Sequence, residues 1–399
     1  MDKKLEDKIF QNVKKNIEWT KGVRHQLHQY PELDFKLTKT IEIISKYLDE
    51  IGIKYRKAVN DSAIIADIDG RDKSKTIALR ADIDALPILE SSSCPFPSKN
   101  IGNMHACGHD VHATVVLGVL KNLIENKEEL PCNVRVLFQP AEETSGGAVP
   151  LINEGALDGV NYIYGLHVDP NLECGKIAYQ YGTAYATSAG VNVKITGKSA
   201  HGAAPQFGVD AIVVASNIVT ALQSVVSRNT SPNDAIVLTF GVISGGTKEN
   251  IIAKEVNLNG TIRALSDESK EVAKKQIINM VENIASGYGA KGEVYIKDGY
   301  ICLTNHNECI DIVRDNGIHL LGSKNVLENT IPTMGVEDFS YYLKKIPGAF
   351  FSLGVRNEAL GIVAALHNEK FNIDENALEV GVKMGILNIF NTYDKLISK

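Results

Sequence analysis

Between residues 62 and 168 the sequence alternates short apolar runs with one apolar stretch of helical length, and this alternation limits the folds open to it. SAIIADID (62–69), TIALRADID (76–84), NVRVLFQ (133–139) and NYIYGLHV (161–168) are rich in Val, Ile and Leu, as strands buried on both faces are. HATVVLGVLKNLIE (112–125) lies among them and reads as a buried helix. Such strands alternating with helices predict an α/β core with a largely parallel or mixed sheet. Upstream, Leu5, Ile9, Val13 and Ile17 recur at four-residue spacing through 4–19, which predicts an amphipathic helix, and 36–51 predicts a second.

From about residue 184 the texture changes. VNVKITG (191–197), AIVLTFGVI (235–243), EVNLNGTIRAL (255–265) and GEVYIKDG (292–299) read as strands, and 210–228 and 270–289 as helices. The order β-α-β-β-α-β is the split pattern of a ferredoxin-like module. After about 300, short helices and strands resume. The expected organisation is a discontinuous catalytic domain, 1–183 with 300–399, into which a smaller module, 184–299, is inserted. A chain of 399 residues, 44% of them hydrophobic, is large enough for both cores.

Charge narrows the partners. The formal net charge is −6, a surface that does not attract polyanions, so nucleic acid is not an expected partner. No apolar run reaches the 18 or so residues of a membrane span, so no membrane is expected. The N-terminal MDKKLEDKIFQNVKKN is charged and amphipathic, without the apolar core of a signal peptide, and a cytoplasmic location is expected. The six cysteines lack framework spacing and are expected as free thiols or metal ligands.

Two motifs stand out chemically. MHACGHDVH (104–112) packs three histidines and a cysteine into nine residues. Any one of these histidines could be a hydrogen-bonded structural residue, but thiolate and imidazole together suit a borderline-soft divalent ion, and Gly108 would let the backbone turn both toward one point. FQPAEE (138–143) places Glu142 and Glu143 side by side after a buried strand, where two carboxylates repel unless a cation or proton relieves them. They are either a solvated loop pair or a metal ligand beside a proton carrier. His167 and His367 each follow an apolar run, where a site at the carboxyl ends of strands would form. Asp82 and Asp84, in LRADIDALP, could orient a histidine or the general base. His105, His112, His25 and His28 read as supporting or structural residues, and His306 and His319 as surface ones.

With these motifs in order, the chain resembles the hippurate and auxin-conjugate amidohydrolase branch of the dinuclear aminoacylase and carboxypeptidase G metallopeptidase family. The resemblance runs through RHQLHQYPEL (24–33), LRADIDALPILE (79–90), MHACGHD (104–110), FQPAEE (138–143), GLHV (165–168), SAHGAAPQFGVDAI (199–212), ENIIA (249–253), GTIRAL (260–265), MGVEDFSYYL (334–343) and LHNEKFNIDE (366–375). It departs from the family's pattern at Leu37, where an acidic residue is usual, and at Val336, where a small one is. The resemblance implies two metal ions held by Cys107, His109, Glu143, His167 and His367, with Glu142 as general base and acid and Asp82 supporting the site. It implies that the inserted module is a lid and a homodimerisation surface. There His201 would stabilise an oxyanion, and Asn250 and Arg263 would contact a substrate carboxylate.

The reaction so implied is cleavage of the amide bond of an N-acyl amino acid, hippurate-like or N-acetylated, by a metal-activated water. The ions would be Mn²⁺ or Zn²⁺, with Co²⁺ or Ni²⁺ also suited, since affinity alone does not select among them. Two other readings share this chemistry: an N-acetyl-diaminopimelate deacetylase of lysine biosynthesis, and a dipeptidase or carboxypeptidase. A protein that binds metal and ligand without turnover would be expected to lack the base, and Glu142 is present.

Overall fold

The computed structural model describes residues 1–397. In chain order it begins with helices α1 (Lys3–Lys15), α2 (Ile17–Gln29) and α3 (Thr38–Glu50) and strands β1 (Lys54–Ala58), β2 (Ala63–Ile68) and β3 (Asp72–Asp82). Helix α4 (His109–Glu125), β4 (Cys132–Gln139), α5 (Ala148–Asn153), β5 (Tyr162–Glu173), β6 (Ile177–Tyr179) and β7 (Gly182–Tyr185) follow. Next come β8 (Thr187–Thr196), α6 (Ala211–Arg228), β9 (Ile236–Gly245), β10 (Glu255–Ala264), α7 (Asp267–Gly287) and β11 (Lys291–Asp298). The chain ends with β12 (Leu303–Asn305), α8 (Asn307–Leu321), β13 (Val326–Glu328), α9 (Ser340–Leu343), β14 (Gly348–Arg356) and α10 (Ala377–Ile397).

These elements form two compact units. One comprises Met1–Gly182, Thr304–Thr330 and the described residues from Tyr341 onward; the other comprises Thr183–Leu303 and Ile331–Ser340. The first is built on an eight-stranded mixed sheet of order β1-β2-β4-β3-β5-β14-β6-β13. Its centre is parallel: β3 pairs with β4 and β5, and β5 with β14. Parallel pairing brings strand ends together, and the register sets Asp82 opposite Gln139, so the loops leaving β3 and β4 start side by side. This is the edge where ligands bind in open α/β sheets.

Helix α4 is apolar nearly all round because it is buried nearly all round, from Val111 to Leu123. It packs against α10 at a glycine contact: a Cβ on Gly118 would stand 2.6 Å from Val382 Cγ2, and one on Gly381 2.8 Å from Val115 Cγ2. The single N-terminal helix expected over 4–19 is two helices. Asn16 separates them and turns its amide to Asn122 and Glu125 of α4, which fixes the break as a packing contact.

The second unit has the expected β-α-β-β-α-β order, with a four-stranded antiparallel sheet β11-β8-β10-β9. Ala211, Val214, Ala215, Ile218, Leu222 and Val225 of α6 and Ala273, Ile277, Val281 and Ala285 of α7 cover one face of it. One expectation is corrected here. Helix α6 is 18 residues long and, by length and composition alone, apolar enough to cross a membrane. Its buried stripe belongs to the core of this unit.

Candidate metal centre

The site of the first unit forms where β3, β4 and β5 end. The chain leaves β3 at Asp82 and reaches α4 through a long irregular segment that closes on Cys107, Gly108 and His109. Gly108 caps α4 in the left-handed region (φ 82°), and a Cβ there would meet Val168 Cγ2 at 2.4 Å, so only glycine fits. That turn puts Cys107 and His109 on one side. After β4, Ala141 also takes positive φ (58°), and the turn presents Glu142 and Glu143. His367 adopts φ 61° and is pinned by its N–H donating to Ala106 O at 2.9 Å. A non-glycine residue held in this region is strained, and such strain collects at functional sites.

The expected side chains converge. Cys107 Sγ lies 3.4 Å from His167 Nε2 and 3.3 Å from His367 Nε2. His367 Nε2 lies 3.2 Å from Glu143 Oε1, and His109 Nε2 lies 3.9 Å from the same oxygen. The donor atoms of Cys107, His109 and His167, of Cys107, Glu143 and His367, and of His109, Glu142 and Glu143 form three overlapping sets, each compact enough for one ion. His109 is fully buried, and its Nε2 has no hydrogen-bond partner among the described residues. It faces Asp82 Oδ2 at 3.7 Å and Glu143 at distances too long for hydrogen bonds. A buried ring nitrogen ringed by carboxylates and a thiol, bonded to none, suits a cation.

The electrostatics agree. Burial, together with Glu143 and Glu142, pushes the Cys107 thiol well above its usual range, so the thiolate needs a cation to form. Burial opposes ionisation of Glu143, but the contact with His367 and the charge of His109 bring its carboxyl down to about 2. Burial holds His167 down to about 3, neutral and able to ligate. For His109, burial is outweighed by Asp82 and Asp84, and its pKa rises to about 10; an ion would displace that proton.

The supporting residues divide their work in a way the sequence did not disclose. Asp82 hydrogen-bonds His112 Nδ1 and pairs with Arg80 Nη1 at 2.7 Å. Burial disfavours its charge, but Arg80, His109 and His112 hold its carboxyl well below the usual range. His112 Nε2 accepts the Val168 N–H at 3.0 Å, beside His167. Asp84 accepts the N–H groups of Glu142 and Glu143, each at 3.1 Å, and its backbone oxygen faces His109 Nδ1 at 2.9 Å. The signal for His112 was its position one helical turn after His109, on the same face of α4. The signal for Asp84 was its place two residues past Asp82 at a strand end.

The other three expected residues lie in the second unit. His201 is exposed, its Nδ1 accepting the Ala203 N–H at 3.0 Å, and the neighbouring Gly202 N–H donates to Asn250 O at 2.8 Å. These contacts make His201 and Asn250 neighbours on one loop pair. Arg263, half-buried on β10, donates from Nη1 to Thr261 Oγ1 and to Ile262 O. Of the two histidines expected at the surface, His319 is exposed and bonded to Glu6, whereas His306 is half-buried and receives the Gly348 N–H.

Comparison with known proteins places the chain. Residues 78–387 match the peptidase family M20/M25/M40. Over 381 residues the chain is 36% identical to thermostable carboxypeptidase 1 of Saccharolobus solfataricus, covering 94% of this chain and 96% of that one. It is 39% identical over 357 residues to N-acetyl-L-cysteine deacetylase of Bacillus subtilis, covering 90% and 84%. Among solved structures, a dinuclear metal-binding peptidase of family M20 from Bacillus subtilis superposes with a TM-score of 0.84 at 30% identity, covering 96% and 99%. The chain belongs to peptidase family M20/M25/M40 and is a metal-dependent hydrolase of amide bonds.

Proposed function

We propose that this protein hydrolyses the amide bond of N-acyl amino acids, with two divalent ions held by Cys107, His109, Glu143, His167 and His367. The observation that carries the proposal is the clamp of Asp84 on two successive N–H groups, which fixes Glu142 beside Glu143. Glu143 then ligates, and Glu142, 7% exposed, is placed to move a proton. When bound, the ions supply Lewis acidity to the scissile carbonyl and lower the pKa of the attacking water. Glu142 accepts the proton of that water and returns a proton to the departing nitrogen, which would otherwise leave as an amide anion. His201 supplies a donor to the developing oxyanion, and Asn250 and Arg263 hold the substrate carboxylate.

The ions we assign are Zn²⁺ or Mn²⁺; a thiolate among imidazoles favours zinc. We assign a homodimer formed through the second unit. There β9 is an edge strand with exposed Val242 and Ile243, and α6 exposes Ile212 and Val213. Six free cysteines fit a reducing, cytoplasmic setting.

Two narrower readings share the centre: deacetylation of N-acetyl-diaminopimelate, and dipeptide or carboxypeptidase cleavage, the activity that the Saccharolobus relative's name gives it. The test is hydrolysis of N-acetyl and N-benzoyl amino acids, N-acetyl-diaminopimelate and dipeptides by chelator-stripped protein, with and without zinc or manganese. Metal-restored cleavage of simple N-acyl amino acids supports the proposal. Cleavage confined to the diaminopimelate derivative or to dipeptides replaces it with the corresponding narrower reading.

A further inference from the structure

A second set of metal-binding donors lies at the C-terminal end of α2, apart from the residues assigned above. His28, Glu90 and Cys94 each offer one ligand atom, all within 4.8 Å of one another. We propose that His28 Nε2, a Glu90 carboxylate oxygen and the Cys94 thiolate bind a further divalent ion, zinc by donor chemistry, which fastens the irregular segment between β3 and α4.

The geometry has the features of a structural site. His28 Nε2 and Glu90 Oε1 are 3.2 Å apart, close to the separation of about 3.4 Å between two donors on one tetrahedral zinc. The side chains of His28 and Glu90 are 1% and 5% exposed, and Cys94 is 6% exposed. His28 Nδ1 faces Asp110 Oδ2 at 2.8 Å. With the Nδ1 proton donated to that carboxylate, the Nε2 lone pair points to Glu90 and Cys94, which is the carboxylate–histidine–metal arrangement. Asp110 is itself paired with the buried Arg24 at 3.3 Å.

A second observation comes from His105. It is 2% exposed, its ring centroid lies 6.5 Å from that of His28, and neither ring nitrogen has a hydrogen-bond partner among the described residues. Native packing seldom leaves a buried imidazole wholly unbonded. An ion on His28 would bring hydration water to this side of the histidine, a partner for the unbonded ring. Binding displaces the Cys94 thiol proton and any Nε2 proton to solvent. The ion, one thiolate, one carboxylate and a neutral imidazole then sum to zero charge.

The site sits where a fastening is useful. The segment from Leu86 to Met104 has no helix or strand of its own. Ser91 N–H donates to Glu369 O at 2.8 Å, and Arg24 reaches Glu375 and Asn372, each at 3.0 Å. The donors therefore join α2 to this segment, and Ser91 and Arg24 tie that pair to the loop that carries His367.

The experiment counts zinc per chain by mass spectrometry in zinc-loaded, desalted protein, for wild type, Cys94→Ser, Glu90→Gln and Glu143→Ala. Cys94→Ser and Glu90→Gln should each hold one equivalent fewer than wild type, whereas Glu143→Ala loses zinc from its own centre and keeps this equivalent. A second readout needs no variant: the alkylation rate at Cys94, read by peptide mapping, should be several-fold slower with zinc than after chelation. Equal zinc content in wild type and both variants, or an unchanged alkylation rate, overturns the site in favour of a shared proton between His28 and Glu90. Amide hydrolysis is scored separately, so loss of this equivalent from a protein with no hydrolytic activity sinks the proposed function and leaves the site standing.

Discussion

Asp82 is bonded to His112 and not to the neighbouring His109, which it faces only at 3.7 Å. Because His112 Nε2 accepts the Val168 N–H, its proton sits on Nδ1 and is donated to Asp82. Asp82 thus acts on the site through a histidine that holds the backbone beside His167. His112→Gln and Asp82→Asn should each weaken metal binding about 10–100-fold. Competition with a chelating dye measures this, and circular dichroism should report an unchanged fold. Unaltered affinity in both variants would remove the pair from the support of the centre.

Glu142→Gln keeps the shape and the Asp84 clamp on its N–H but cannot take up a proton. Turnover should fall about 10³-fold with metal content unchanged. A variant that loses its metal as well would make Glu142 a ligand.

His201→Ala tests the second unit. We expect kcat to fall about 10²-fold with metal content intact, as for loss of one oxyanion donor. Loss of bound metal in that variant would instead make His201 a ligand.

Metal affinity should depend steeply on pH. The apo site carries a proton on Cys107, whose pKa is raised by burial and by Glu143, and one on His109, whose pKa is about 10. Both pKa values lie above neutrality, so the protons are present at pH 7 and must leave on binding; affinity therefore rises with pH. Each displaced proton contributes about tenfold per pH unit. Calorimetry in buffers of different ionisation enthalpy counts the protons released, and Cys107→Ala should release one fewer. Equal release would mean that the thiol does not bind as thiolate.

Arg24 is 1% exposed and bonded to Asp110, Glu375 and Asn372. Arg24→Met leaves buried Asp110 with His28 as its remaining cationic partner and should destabilise the first unit by about 3–5 kcal/mol. Urea unfolding followed by Trp19, on the same helix, reads the shift; a change under about 1 kcal/mol would show the network to be dispensable.

Much of the frame was legible in the sequence because the parallel strands are continuous apolar runs and the second unit keeps clean strand–helix alternation. The rest is set by distant contacts. The break at Asn16 is invisible to a four-residue apolar repeat, since its cause, Asn122 and Glu125, lies more than a hundred residues away. At the site, the types of Cys107, His109 and the Glu142–Glu143 pair carried their own signal. The choice of His112 over His109 as the partner of Asp82 depends on side-chain directions that no local pattern encodes. His28, read as structural, sits in a ligand-like set because Glu90 and Cys94 fold back onto it from an unpatterned segment.

The glycine contact between α4 and α10 has a consequence for biosynthesis. Helix α4, apolar on nearly every side, finds only part of its cover on elements made before it, α2 and β3, and the rest on α10, which is made much later. When α4 is first made, α10 does not yet exist, and His367 lies 260 residues beyond the thiol it will join. The nascent first half therefore holds α4 against α2 and β3 with its α10 side open, and an incomplete metal cradle, until both later segments have been made.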